Sequence, residues 1–409
     1  MTRSQEDGAV PGTPWGLVVV LTLAMALPML VLYAIGALGP QLVSGLGVDR
    51  TELGVLPAAG FAVAAVLSLW AGRIVDRVGT RGAGATLFVV VAVSFAMMAL
   101  AGGLGLLVVA VATCGIAQAL ANPVTNRIIA ERVPAQARGT VVGIKQSGVQ
   151  LAALAAGVGL PPIAAVWGWQ AALACVPPVA LACLIPTLRL PHATPNAVPR
   201  PGTGRARRLP AAPGWALGTL LALQLCLGAG LAAVTTFVAL YTHQDLDVSA
   251  PHAALVLAGF GVSGVLSRVL WTWVAGRRDD PLGLQFMLAL LSTIAAGALW
   301  LSSVVPAGGL ALVWVGAIGV GATAVAANAV SMLSVINDRR FGPVGHASAL
   351  ASSGFFAGFV VSPPLAGLLA DTTGFGGTWV LVIGAFLLAT TCAAGLRRLD
   401  HPSVAAAAS

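Results

Sequence analysis

Gly72-Arg73-Ile74-Val75-Asp76-Arg77-Val78-Gly79-Thr80-Arg81 separates two apolar runs, at about 53–72 and 83–101. Each run is close to the ~20 residues that carry a helix through ~30 Å of hydrocarbon. A connection this short and this charged belongs in water, so the two runs read as a membrane hairpin with its turn outside the bilayer. Gly72 and Gly79 permit a tight turn or a close helix approach, and Asp76 can pair locally with arginines at a helix boundary.

Cutting the rest of the chain at charges, Pro/Gly clusters and length adds spans at about 16–38, 104–128, 139–160 and 164–187. Six more follow, at about 214–240, 251–275, 282–303, 307–334, 345–369 and 376–395. The expected fold class is an all-α polytopic membrane protein with twelve transmembrane helices. Composition agrees, since 58% of the 409 residues are hydrophobic and 8% charged, too few to cover a soluble surface. The net charge of +8 raises the possibility of a nucleic-acid partner. The basic residues, however, punctuate apolar stretches instead of forming one stripe, so none is expected.

Their positions orient the bundle. With a cytoplasmic N-terminus the inside segments hold Arg3, Arg73, Arg77, Arg81, Arg132, Arg138, Arg189, Arg200, Arg205, Arg207, Arg208, Arg277, Arg278, Arg339, Arg340, Arg397 and Arg398. The outside segments hold Arg50 alone, beside Asp49, Glu52, Asp245, Asp247 and Asp371. This bias predicts a multi-pass plasma-membrane protein with both termini cytoplasmic. The apolar run from Gly16 continues without a small-residue cleavage pattern, so a retained first helix is expected rather than a removed signal peptide.

The proline-rich segment 191–213 is unsuited to a span and divides the chain into an N-terminal six-helix bundle (1–190), a cytoplasmic linker (191–213) and a C-terminal six-helix bundle with a short cytoplasmic tail (214–409). The linker's arginines read as positive-inside residues that can touch anionic lipid heads. A weak internal repeat supports the division. Trp15 matches Trp215, while Gly115, Asn122, Gly139 and Gly148 match Gly321, Asn328, Gly345 and Gly354 in a single later register.

Gly72 to Arg81 resembles the G-x-x-x-D-R-x-G-x-R signature of the major facilitator superfamily, and with twelve spans and a 6+6 repeat the resemblance covers essentially the whole chain. It implies two six-helix pseudo-repeats, alternating access, and a gating role for Gly72, Asp76, Arg77, Gly79 and Arg81 as a brace between helices 2 and 11. The second-half counterpart, Thr272 to Arg277, keeps the arginine but has Gly276 in place of the aspartate, leaving Asp279 or Asp280 as substitutes. Asn122-Pro123-Val124-Thr125-Asn126-Arg127 and Arg138-Gly139, followed by Gly143-Ile144-Lys145-Gln146-Ser147-Gly148, resemble bacterial cyanate-transporter-like and organic-anion-transporting members.

The informative residues are bases placed where charge is costly. Lys145, the single lysine of the chain, Arg268 and the shallower Arg127 fall inside apolar spans, whereas none of the 13 carboxylates lies in the central part of one. Intramembrane bases generally face protein or a water-filled cavity, although snorkelling to the headgroups is the alternative. Bases without internal acids invite an anion, and the resemblance implies that an arginine on helix 8, here Arg268, receives carboxylate. Neutral candidates for the same lining are Asn122, Asn328, Tyr33, Gln146, Gln150, Gln224, Ser352 and Ser353. His346 can titrate but sits at a span boundary.

The five cysteines fall inside apolar runs without CxxC or Cys/His spacing, so neither a metal nor a disulfide framework is expected. No GxSxG, Walker loop, HExxH or acidic dyad appears. The reading is therefore not an enzyme, and without a cofactor. It is a secondary carrier, functional as a monomer, for a small organic or inorganic anion, coupled to a proton or exchanged for a counter-anion. The alternative is proton-coupled efflux of a drug or secondary metabolite, whose mark would be a wide, aromatic or apolar cavity. A receptor or inert scaffold is the reading outside transport.

Overall fold

The computed structural model describes residues 15–190, 214–275, 277, 281–305, 308–337 and 344–398. The linker 191–213, Gly276, Asp279, Asp280 and the His346 side chain lie outside the described residues. The described chain is α-helical: α1 Trp15–Ala37, α2 Gly39–Leu46, α3 Arg50–Ala99, α4 Leu104–Arg132, α5 Arg138–Ala174 and α6 Val176–Leu188. Then come α7 Gly214–Gln244, α8 Ala250–Ala275, α9 Pro281–Val304, α10 Gly309–Asn337, α11 Val344–Thr373 and α12 Phe375–Arg398.

Among the described residues ten stretches are long and apolar enough to cross a membrane, and two of these, Arg50–Ala99 and Arg138–Leu188, have 50 and 51 residues. At ~1.5 Å per residue either would extend ~75 Å, more than twice the hydrocarbon thickness. Each is broken by one glycine with left-handed backbone, Gly79 at φ 79° and Gly168 at φ 85°. The hairpin turn is accordingly tighter than the polar interval 73–82 suggested. Helix continues through the motif, and Gly79 alone reverses it, at a backbone angle that costs other residues ~1–2 kcal/mol. At the opposite end α3 begins with a capping box, in which the Asp49 carboxylate accepts from the Glu52 amide at 2.6 Å and the Glu52 carboxylate accepts from the Asp49 amide at 3.0 Å. The Asp49 end and the Gly79 end are thus the two opposite ends of the hairpin's first arm.

Small residues set the helix spacing, and the same contacts occur twice. A Cβ on Gly115 of α4 would meet the Gly60 carbonyl of α3, and one on Gly321 of α10 would meet the Phe260 carbonyl of α8. Likewise Gly148 of α5 lies on the Thr22 carbonyl of α1, and Gly354 of α11 on the Leu221 carbonyl of α7. Each contact in the first part of the chain thus has a counterpart about 200 residues later, in line with the sequence repeat.

Three seams join residues 15–190 to residues 214–398. Gly36 of α1 approaches the Thr235 carbonyl of α7 so closely that any side chain there would force the helices apart. Gly54 of α3 lies on Pro363 of α11, Gly367 lies on the Arg50 carbonyl, and farther along Phe61 packs on Phe359 with ring centroids 4.4 Å apart. In the third seam α8 lays Gly261 and Gly264 against Gln150 of α5. The seams run from the Asp49 end to mid-depth. Beyond them, toward the Gly79 end, Gly139 and Gly143 of α5 face open space and Asn122 and Asn126 of α4 are exposed.

Candidate solute-binding site

α4, α5 and α8 link the two bases of the apolar runs, Lys145 and Arg268, through shared hydrogen-bond partners. Lys145 of α5 is fully buried. Its ammonium donates to Asn126 Oδ1 at 2.6 Å, Thr125 Oγ1 at 2.7 Å and Asn122 Oδ1 at 3.4 Å, all on α4. Asn122 and Asn126 are four residues apart and so share a helix face, which is why one lysine reaches both. All three acceptors are neutral.

Gln146, next along α5, donates from Nε2 to the same Asn122 oxygen at 3.1 Å, and its backbone carbonyl receives Arg268 of α8 at 3.5 Å. Arg268 is partly buried, and its Nε is buried without a partner. Among the described residues no carboxylate pairs with Lys145 or Arg268, whereas Arg127 pairs with Asp76 and Glu131. Tyr33 of α1 is buried, with its phenol in electrostatic range of the Arg268 guanidinium. An unbroken polar path thus runs from Arg268 through Gln146 and Asn122 to Lys145, crossing the α5/α8 seam.

Other candidates lie around this layer or apart from it. Gln150 and Gln224 are buried; the Gln150 Oε1 and both amide atoms of Gln224 lack partners. Asn328 of α10 and Ser352 and Ser353 of α11 are half-buried. Arg127 belongs elsewhere. Its guanidinium pairs with Asp76 of α3, donates to Glu131 at 2.9 Å and reaches the Val75 carbonyl at 3.4 Å, while Thr80 donates to the other Glu131 oxygen at 3.2 Å. Asp76 therefore ties α3 to α4, while the side chains at the start of α11, to which the resemblance points, lie outside the described residues. The α3/α11 contacts described above lie toward the other end of α3. Gly72 and Arg77 are exposed, and Arg81 is half-buried. Arg277, the motif's second-half counterpart, stacks on Trp273 at 3.6 Å.

Thr125 and Asn126 are the ligands of Lys145 that residue-type reasoning passes over. The available signal is that a buried lysine needs acceptors and Asn126 lies one turn beyond Asn122. A separate crevice of ~340 Å³, lined by Gly16, Leu17, Val20, Arg132, Pro186 and Leu190, lies near the Gly79 end away from this layer.

Residues 20–342 match the Major Facilitator Superfamily. The chain belongs to that superfamily. Membership makes this polytopic membrane protein a carrier rather than an enzyme, of the kind that includes secondary transporters. Across this superfamily chain, 168 residues are 30% identical to the hexuronate transporter of Escherichia coli strain K12, covering 40% of this chain and 38% of that protein. The match thus spans well under half of the relative. The D-xylose-proton symporter superposes with a TM-score of 0.76 at 19% identity, over 92% of this chain and 96% of that one. The nucleoside transporter NupG gives 0.75 at 14% identity, over 93% and 99%. A bacterial homologue of the human lysosomal transporter Spinster, solved inward-facing and unoccupied, gives 0.74 at 15% identity, over 95% and 98%. These structural likenesses concern the fold.

Proposed function

We propose that this protein is a proton-coupled secondary carrier that moves a small hydroxylated carboxylate across a bacterial plasma membrane by alternating access. The observation that carries the reading is Arg268: an arginine at mid-depth on a seam, with a buried unpartnered Nε and no carboxylate beside it. A guanidinium offers a fork of donors matched to a carboxylate, and an uncompensated buried cation gains most from an arriving anion. The amides of Asn122, Gln146, Gln150 and Gln224 suit the hydroxyls of such a solute, in keeping with the hexuronate transporter among the relatives. The signature around Asn122 and Lys145 also supports kinship with cyanate-transporter-like members.

Twelve spans in two six-helix halves, 1–190 and 214–409, follow if the two helices broken at Gly79 and Gly168 each cross twice. The duplicated glycine contacts support this division. The arginine bias assigns the Gly79 end and both termini to the cytoplasm, which makes the described conformation closed outside and open inward. Gly72, Asp76, Arg77, Gly79 and Arg81, joined by Arg127, then form the cytoplasmic gating element, and the site residues are Arg268, Lys145, Asn122, Asn328, Tyr33, Gln146, Gln224, Ser352 and Ser353. The monomer contains the whole site. Efflux of an apolar drug is the weaker reading, because Phe61, Phe356 and Phe359 pack on one another across the α3/α11 seam and do not line an open chamber.

The test is flux in reconstituted liposomes. D-glucuronate uptake is expected to rise with an inward proton gradient and to exceed uptake of neutral D-glucose and of a hydrophobic cation. Uptake that follows hydrophobicity instead of negative charge overturns the proposal.

A further inference from the structure

Lys145 is more than a second positive contact. We propose that it is the coupling-proton site of the carrier, taking up one proton when the anion binds and releasing it when the anion leaves; this rests on the anion-carrier reading above. The argument begins with what holds the ammonium. Thr125, Asn126 and Asn122 offer oxygens but no charge, so nothing pins Lys145 in its protonated form as a carboxylate would.

Few other groups look onto this position. From α4 come Arg127 and Glu131, engaged with each other and with Asp76 and Thr80 of α3, and the buried Cys114 thiol, directed at the Pro28 carbonyl. From α8 comes Arg268, and from α1 the buried Tyr33. The spans supply no free carboxylate for a relay among the described residues. Of the two unpaired bases, arginine stays charged in proteins, whereas lysine gives up its proton when its surroundings favour the amine. Among the described residues of this layer, Lys145 is therefore the base that can take up and release a proton.

Coupling follows from electrostatics. Two cations linked through Gln146 and Asn122 repel each other until an anion compensates them. An anion on Arg268 thus favours the protonated amine, and the protonated amine favours the anion, by the same factor in both directions. The new N–H bond at Nζ takes its proton from water on one side of the membrane and returns it to water on the other. On the open side Asn122 and Asn126 are exposed and stand between Lys145 and solvent. One monoanion with one proton carries no net charge, so accumulation follows the pH gradient and not the membrane potential.

Because Lys145 is the single lysine, protein grown with [13C]lysine and placed in nanodiscs gives one lysine Cε resonance. Its shift is expected to report a protonation change, and saturating D-glucuronate is expected to move that change to higher pH. A resonance that keeps one protonation state across the pH range of transport overturns the assignment, and this holds even if D-glucuronate proves not to be carried. In liposomes, Lys145→Arg fixes the charge and Lys145→Gln removes it. In both, pH-driven accumulation of D-glucuronate is expected to fall at least tenfold further than exchange at equal pH does. Accumulation at the wild-type level in either variant overturns Lys145 as the coupling site while leaving anion transport standing. Failure of wild-type protein to move any carboxylate would instead overturn the transport reading.

Discussion

The Asp371 carboxylate at the end of α11 caps the first turn of α3, accepting from the Thr51 amide at 2.9 Å and the Thr51 hydroxyl at 2.7 Å. It also receives the Arg50 amide at 3.3 Å. The Arg50 guanidinium in turn donates to the Ala370 carbonyl at 2.6 Å and to Gln244 of α7 at 3.0 Å, and lies 4.5 Å over the Phe375 ring. Open amides at a helix start attract a carboxylate, and here the carboxylate comes from the opposite part of the chain. The contact forms a latch that exists only while the Asp49 end is closed.

Breaking the latch should release that end. Asp371→Asn or Arg50→Ala removes charge-assisted bonds worth about 1–3 kcal/mol, which is roughly 5–150-fold in the closed-to-open ratio. Spin labels at Leu46 and Asp247 should show a larger fraction of long distances in both variants. An unchanged distance distribution would mean that the helix packing around Gly36 and Gly54 holds the end shut without the latch.

Asp245, just beyond α7, gives this end a pH dependence. Burial pushes its carboxyl above the usual carboxylate range, with Arg50 partly opposing the shift. A carboxyl that binds its proton more tightly in the closed form stabilises that form once protonated. The contribution is full at pH below the ordinary value and fades as pH rises through the raised one. Acidifying the outside from neutral toward the carboxylate range should therefore favour closure, and Asp245→Asn should remove that dependence in the same spin-label measurement. A wild-type pH profile in the variant would assign the effect elsewhere.

At the other end, Arg127 holds two carboxylates at once. Its Glu131 partner is largely buried and would lose its compensating charge in Arg127→Ala, while Asp76 is largely exposed and would be rehydrated. Arg127→Ala should lower thermal stability in detergent by more than Asp76→Asn does, by about 1–3 kcal/mol. Asp76→Asn should instead slow exchange while leaving equilibrium D-glucuronate affinity within about twofold, well under the ~1.4 kcal/mol of a tenfold change. Lost affinity with unimpaired exchange would count against a conformational role for Asp76.

Span length, the arginine bias and a few repeated glycines make the helical architecture legible in the sequence, because each is a local property or a fixed offset. Lys145 and Arg268 stand out in the sequence as charges in apolar runs, and hydrogen bonds link them through Gln146 and Asn122. Pairing is harder to read. Arg127 resembles the other intramembrane bases until Asp76, Glu131 and Thr80 are seen around it. Asp371 reads as one more outer acid because its partner, Thr51, is 320 residues away and bonds through its backbone amide as well as its hydroxyl. The motif does not announce Arg127 of α4 as the partner of Asp76, because the two are 51 residues apart.

The sharpest test concerns Arg268. Its fork can hold a carboxylate in two contacts, a lysine retains the charge without the fork, and an alanine retains neither. Removing a bond to a charged group leaves the solute's carboxylate underserved at about 1.5–3 kcal/mol, so Arg268→Ala should weaken D-glucuronate binding by roughly 10- to 150-fold. Arg268→Lys should fall between alanine and wild type. The Gln146 carbonyl, which now receives the guanidinium, lies beside a partly open layer where water can replace it, so the alanine variant should still fold and reach the membrane. Calorimetry on purified protein separates this from coupling, because Arg268→Ala should lose more affinity than Lys145→Arg does. If folded Arg268→Ala binds D-glucuronate as tightly as wild type, the arginine serves the α5/α8 seam and the anion is held elsewhere.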